Sequence, residues 1–274
     1  MVSQARTLTF LTNGDSGSAA ALPDLAKLAA ALGARLAVVH LLAEGEVAAA
    51  DSGRIADALP ADPHVAVLAV PADQLAATLD ALHPAAGDLV ALMPERSVGL
   101  AHALVGTSYE RLLRSGELPV LALPPSGQVP PIRRVLFAAD FAARSKPALE
   151  RTIALCQQLA AELHVLHVFG EDRPLPGEQD GARRTATNPA ELLQLDQAAL
   201  AEIVAQVSAA GLTSQSHTGD GQEHQAILAC AAANAADLIV LASHGPRSTA
   251  DILRGSTTAR VVHSAQVPVL AFPA

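Results

Sequence analysis

The sequence predicts a doubly wound α/β protein written twice: two domains, each a five-stranded parallel sheet with helices on both faces. Three observations carry this expectation. The chain repeats itself in register over most of its 274 residues. Short, nearly continuous apolar runs alternate with amphipathic stretches, as expected for strands buried on both faces between covering helices. Half the residues are hydrophobic, yet only 2% are aromatic and none is Trp, so the core must be Ala, Leu and Val, which suits close helix-on-sheet packing.

The repeat has two blocks. TLTFLTNGDSG and LAKLAAALGARLAVVHLL near the start match RRVLFAADFAA and IALCQQLAAELHVLHVFG in the middle, with Asn13 over Asp140 and His40 over His167 at an offset of 127. Further on, DLVALMPERSVGLAHALVGTSYERLLRSGELPVLALP lies over DLIVLASHGPRSTADILRGSTTARVVHSAQVPVLAFP, with Asp88/Asp237, Gly106/Gly255 and Pro119/Pro268 at an offset of 149. The second copy therefore carries 22 extra residues between the blocks, and the charged, Pro- and Gly-rich stretch Gly170–Pro189 accounts for most of them as a surface loop or lid. The joint PPSGQVPP (Pro124–Pro131) reads as a short stiff linker. Domains are expected at 1–124 and 132–274, with the linker at 125–131.

In the first copy, apolar runs predict strands near 7–12, 35–42, 64–70, 88–93 and 118–123, separated by helices near 18–32, 46–58, 72–83 and 101–115. In the second, strands are expected near 133–138, 162–168, 212–217, 237–242 and 267–272, and helices near 145–160, 189–210, 222–235 and 255–264. Such sheets bind ligands at the carboxyl ends of the strands, where the strand order reverses.

Composition narrows the function. A formal charge of −9, with no Lys/Arg run and few aromatics for base stacking, argues against nucleic acid as a partner. No apolar run of about 18 residues is present to span a bilayer. Met1-Val2-Ser3-Gln4 leads straight into a strand with no charged n-region and apolar h-region, so a cytoplasmic protein is expected. Cys156 and Cys230 lie in apolar, helix-like runs and read as small buried hydrophobes in a reducing compartment.

The feature that points to a ligand lies near the C-terminus. Asp237–Leu241 is an apolar strand that runs through Ala242-Ser243-His244 to Gly245, and nine residues later Gly255-Ser256-Thr257 opens a helix. Unpaired amides at a helix N-terminus, beside the positive end of its dipole, favour a phosphate. Glycine there lets the backbone approach the anion, and a Ser256 or Thr257 hydroxyl can cap the helix, donate to the phosphate, or do both. Asp140 ends the first strand of this copy and Val168 closes the second. Neither G-x-x-x-x-G-K-[ST] nor G-x-G-x-x-G after a first strand is present, which sets other nucleotide loops aside.

Across nearly its whole length, the chain resembles the universal stress protein family in its tandem two-domain form. The resemblance rests on Asp140, on the G-x2-G-x9-G-[ST] pattern at Ala242, Gly245, Gly255 and Ser256, and on the final strand Val267-Pro268-Val269-Leu270. It implies two Rossmann-like, adenine nucleotide alpha hydrolase-like domains and a stress-response or regulatory role. In one subclass it also implies bound ATP, or ADP or AMP, with Mg2+. By match to the motif, Asp140 would hold the ribose and Val168 would meet adenine through its backbone; Ala138 is a further candidate for the cofactor site. Gly245, Gly255, Ser256 and Thr257 would line the phosphates, with Ala242 at the motif's first Gly; Arg247, inside the loop, is a further candidate for phosphate contact. In this family the final strands of two domains pair as a dimer. One chain would then supply both in a pseudo-dimer, with Val120, Leu121 and Ala122 beside Val269, Leu270 and Ala271, and a homodimer also stays open.

Two departures bear on the second copy: the motif's first Gly is Ala242, and Pro246 removes an amide from the loop. The first copy departs further. Asn13 replaces the Asp, Met93-Pro94-Glu95-Arg96 replaces the glycine stretch, and only Gly106-Thr107-Ser108 remains, so it is expected to be a degenerate partner domain. The alternative is a nucleotide-free interaction scaffold of the same fold. No catalytic set is expected beyond slow ATP hydrolysis: Ser243-His244 lacks G-x-S-x-G, and His217, His224 and His244 lack metal-ligand spacing. His40 and His167 are expected as half-buried structural histidines. Arg247 and Arg254 lie inside the loop, where a solvated face competes with phosphate contact.

Overall fold

The computed structural model describes residues 6–12, 16–42, 65–71, 74, 77–78, 88–94, 118–141, 145–169, 189–243 and 257–273. The helices expected at 46–58 and 101–115, most of that at 72–83, and the 170–188 insert lie outside the described residues. The chain divides into two compact units, 1–131 with 266–271 and 132–265 with 272–274.

In the first unit β1 (Arg6–Thr12), β2 (Ala34–Leu42), β3 (Val65–Pro71), β4 (Leu89–Leu92) and β5 (Val120–Ala122) pair in the order β3-β2-β1-β4-β5, all parallel. The segment 266–271 adds β10 (Val269–Pro273) antiparallel to β5. Val269 lies opposite Ala122, Leu270 opposite Leu121 and Ala271 opposite Val120. These are the six residues that the family resemblance leads one to expect side by side. Pro119 and Pro268 stand just before their strands, where a missing N–H costs no ladder bond. Helix α1 (Ser16–Ala31) packs on β1 and β2 through Ala21, Leu22, Leu25, Leu28 and Ala29, a stripe at helical spacing. The Pro-rich stretch is seated rather than free: Val129 is buried, and its N–H donates to Asp24 of α1 at 3.4 Å.

In the second unit β6 (Arg134–Ala139), β7 (Glu162–Phe169), β8 (Ser214–Asp220) and β9 (Leu238–Ser243) pair in parallel in the order β9-β6-β7-β8. Among the described residues, four helices accompany them: α2 (Lys146–Leu159), α3 (Pro189–Ala209), α4 (Glu223–Ala233) and α5 (Thr257–Ser264). Opposite faces of β7 show that the sheet is covered on both sides. Side chains alternate along a strand; His167 points to Asp196 of α3, whereas Leu166 and Val168 lie with Gly219 towards Ala226 of α4. A Cβ on Gly219 would stand 3.1 Å from that of Ala226, so glycine lets α4 approach. In α2 the buried residues Ala148, Leu149, Thr152, Ile153 and Cys156 recur every three or four positions. Burial pushes the Cys156 thiol up to about 12, so it packs as an inert hydrophobe.

The repeat is visible in its hydrogen bonds as well as its strands. Asp88, before β4, accepts the Thr7 N–H of β1 at 2.6 Å. Asp237, before β9, accepts the N–H groups of Arg133, just before β6, and of Arg134, its first residue, both at 2.9 Å. In each copy an aspartate thus clamps the start of the first strand. Strand β8 runs two to three residues later than the sequence suggests. Gly211, at φ +78°, turns the chain after α3, and the strand itself is polar and largely exposed at the rim of its sheet. Among the described residues, no helix is long and apolar enough to cross a membrane.

Candidate functional site

The carboxyl ends of β6, β7 and β9 lie side by side in the second unit, with β6 between its two neighbours. Ala138 sits level with Leu166 of β7 and Leu241 of β9. The strand-end residues Ala138, Val168 and Ala242 are half-buried, and Asp140, one residue past β6, is exposed. Thr257 opens α5. Of the nine residues the resemblance implies, the structure thus describes Ala138, Asp140, Val168, Ala242 and Thr257, the first four at neighbouring strand ends. Gly245, Arg247, Gly255 and Ser256 lie outside the described residues, as does Asn13 of the first copy.

Beneath Asp140 the chain is tied down by a histidine. His167 Nδ1 is 2.9 Å from the Ala139 carbonyl oxygen. A carbonyl only accepts, so Nδ1 carries the proton. The other ring nitrogen, Nε2, faces Asp196 Oδ2 of α3 at 3.4 Å. Phe141 stacks on the ring with centroids 4.0 Å apart, and Phe169 meets it edge-on at 5.1 Å. Phe141 also holds φ at +56°, a conformation rare for a side chain of that bulk. His167 and Asp196 are both buried, at 9% and 6% exposure, which corrects the expectation of a half-buried histidine; His40, at 1%, is buried too.

At the other end of the site, α4 and α5 pack together, and the Thr257 hydroxyl donates to Glu223 Oε2 at 2.7 Å. Glu223 is the first residue of α4. A carboxylate therefore already engages one of the groups expected to line phosphate.

A second histidine pair lies farther from the strand ends, on the face of β7 opposite His167. His164 Nδ1 and His217 Nε2 are 2.9 Å apart, so one ring donates to the other. His164 Nε2 lies 3.5 Å from Glu162 Oε1, which in turn accepts from Gln215 Nε2 at 3.0 Å. Among the described residues, no three His, Cys, Asp or Glu side chains form a metal-holding group.

Sequence reasoning missed Asp196, Phe141 and Glu223 as parts of this neighbourhood. Asp196 left one trace: an aspartate in the apolar phase of LLQLDQAAL. Glu223 left none, because 34 residues separate it from Thr257.

Comparison with known proteins bears on the family and the fold. Residues 131–273 match the model of the universal stress protein family. Universal stress protein Slr1230 of Synechocystis sp. is 28% identical over 197 residues, covering 71% of this chain and 61% of that protein. The chain thus spans 61% of the length of the curated relative it matches. Two solved structures share the fold over nearly the full chain. A universal stress protein from Archaeoglobus fulgidus has 20% identity and a TM-score of 0.65, with 98% of this chain and 96% of that one covered. The functionally unknown protein PA1789 from Pseudomonas aeruginosa has 16% identity and a TM-score of 0.64, with 98% and 92% covered. With more than half of its residues under the family model and two doubly wound copies of the fold, the chain belongs to the universal stress protein family.

Proposed function

We propose that the second copy binds an adenine nucleotide at the ends of β6, β7 and β9, and that occupancy of this site serves a cytoplasmic stress-response or regulatory role. The first copy is then a pseudo-dimer partner without a working site. The observation that carries this reading is Asp140. It is an exposed carboxylate just past the end of a parallel strand whose two neighbours end beside it. A carboxylate there can accept from both hydroxyls of a ribose, and half-buried Val168 on the next strand offers apolar surface to a base.

The nucleoside end of the ligand fits the residues present. The phosphate end is selective, because Glu223 stands at Thr257. A bare triphosphate beside that carboxylate is disfavoured by roughly 1 kcal/mol or more at short range. AMP, or ATP neutralised by Mg2+, is therefore expected to bind better than free ATP. No catalytic residue is invoked.

The test is to extract the purified protein with acid, identify any nucleotide by chromatography, and then measure melting temperature with ATP, ADP and AMP, with and without Mg2+. A ligand that binds only the native state stabilises it by about 2.7 kcal/mol at a hundred times its Kd. Asp140→Ala should remove most of the shift and Asn13→Ala should leave it. No nucleotide in the extract and no shift at millimolar ligand would favour the scaffold reading instead, and equal losses in both variants would mean that the working half has been misassigned.

A further inference from the structure

His167 is too buried to touch a ligand freely, yet it is heavily partnered beside Asp140. It sits one residue before Val168, and its Nδ1–H holds the carbonyl of Ala139, the residue before Asp140. The ring of Phe141, the residue after Asp140, lies flat on the imidazole at 4.0 Å. Asp140 is thus bracketed by two contacts to one ring: a hydrogen bond on its N-terminal side and a stack on its C-terminal side. The unusual φ of +56° at Phe141 falls inside the same bracket. A left-handed non-glycine residue persists only where its surroundings hold it.

The ring is itself held. Its far nitrogen faces the buried carboxylate of Asp196, and Phe169 closes its edge. Asp196 belongs to α3, the helix that directly follows the 170–188 insert of the second copy.

We propose that His167, fixed by Asp196, is a positioning residue that sets the conformation of the Ala139–Asp140–Phe141 corner, and so couples the binding strength of the strand-end site to the seating of α3. The coupling to ligand affinity rests on the adenine-nucleotide reading; the positioning of the corner does not. The physical basis is general. Partners that orient a binding carboxylate or ligand from behind cost roughly 10–100-fold in affinity when removed from metal sites, although they never touch the ion.

The chemistry separates positioning from filling space. In His167→Asn the side-chain amide can still donate to the Ala139 carbonyl, because its nitrogen stands near the place of Nδ1. In His167→Leu the volume remains but the donor is gone. Asp196→Asn keeps shape while changing what holds Nε2.

The experiment measures the backbone amide resonances of Asp140 and Phe141 in the ligand-free protein, and the affinity for AMP by calorimetry, in wild type, Asp140→Ala and the three variants. His167→Leu is expected to displace both resonances and to weaken AMP binding about tenfold or more. His167→Asn keeps the donor to Ala139 but loses the Phe141 stack and the contact with Asp196, so it should fall between wild type and His167→Leu, as should Asp196→Asn. Unchanged resonances in His167→Leu, or equal displacement in His167→Asn and His167→Leu, overturns the proposal. If His167→Leu fails to fold, Asp196→Asn decides, with unshifted Asp140 and Phe141 resonances overturning it. If wild type itself binds no AMP, the nucleotide reading falls and the coupling to affinity falls with it, while the resonances still decide whether His167 positions the corner.

Discussion

His40 and His167 occupy the same place in the two copies, and they live different lives there. Each lies on the second strand of its copy, level with the end of the first: His40 opposite Thr12, His167 opposite Ala139. Both are buried. His167 has a carbonyl on one side and a carboxylate on the other, whereas neither ring nitrogen of His40 has a hydrogen-bond partner among the described residues. The aspartate clamps at the opposite end of the strands, Asp88 and Asp237, keep the same role in both copies. The aspartate clamp at one end of the strands thus has the same chemistry in both copies, and the other end, where we propose a ligand in the second copy, differs. Asn13 against Asp140 is the same difference one residue further along.

Three measurements sharpen this contrast or break it. The largest effect is expected at the histidines. His167→Leu leaves the Asp196 carboxyl buried without the ring it faces and should cost about 3 kcal/mol by urea unfolding. His40→Leu removes a polar group that has no partner among the described residues, so it should be neutral or stabilising within about 1 kcal/mol. Equal costs would show that His40 is as well satisfied as its counterpart.

The clamps come next. Asp88 is buried, and Asp88→Ala strands the Thr7 N–H out of reach of water, for a loss of about 2 kcal/mol. Arg133 and Arg134 are exposed, so water can replace Asp237, and Asp237→Ala should cost under about 1 kcal/mol. A reversal of that order would mean that exposure does not govern the clamp.

The smallest effect is a dependence on pH confined to the second copy. Burial, and then the neighbouring His164, hold the His217 ring below its ordinary value of 6.5. The unfolded chain therefore takes up a proton there at a pH where the fold does not. Stability from this group is complete above 6.5 and is lost as pH falls from there towards the lowered folded value. The first copy carries Ala37 and Leu68 at the matching register positions. Changing His217→Leu should flatten the fall in melting temperature between about pH 7 and pH 5, by a fraction of the shift that a fully buried ring would give.

Much of this could be seen in the chain before the fold was known. The twofold writing of the sequence marked out most strands of the two copies, because apolar periodicity and a shared offset are local signals; the partnership of β5 with β10 was legible only through the family resemblance. The limits of β8 were misplaced because a polar rim strand such as SQSHTGD lacks the apolar run that marks the others. The depth of His167 was misjudged for another reason: what buries and orients it, Asp196, lies 29 positions away on a helix that no spacing rule connects to it. The Thr257–Glu223 hydrogen bond is likewise a product of packing between two helices.

The antiparallel partnership of β5 with β10 also has a consequence in time. Val120, Leu121 and Ala122 leave the ribosome about 150 residues before Val269, Leu270 and Ala271, the residues that cover their open side. At translation speeds of roughly 5–20 residues per second, that edge waits on the order of ten to thirty seconds for its neighbour. During that interval the nascent first unit presents an apolar strand with unpaired amides, a surface that chaperones and other nascent chains can bind. A chain cut short before residue 269 would leave β5 without the strand that pairs with its open side.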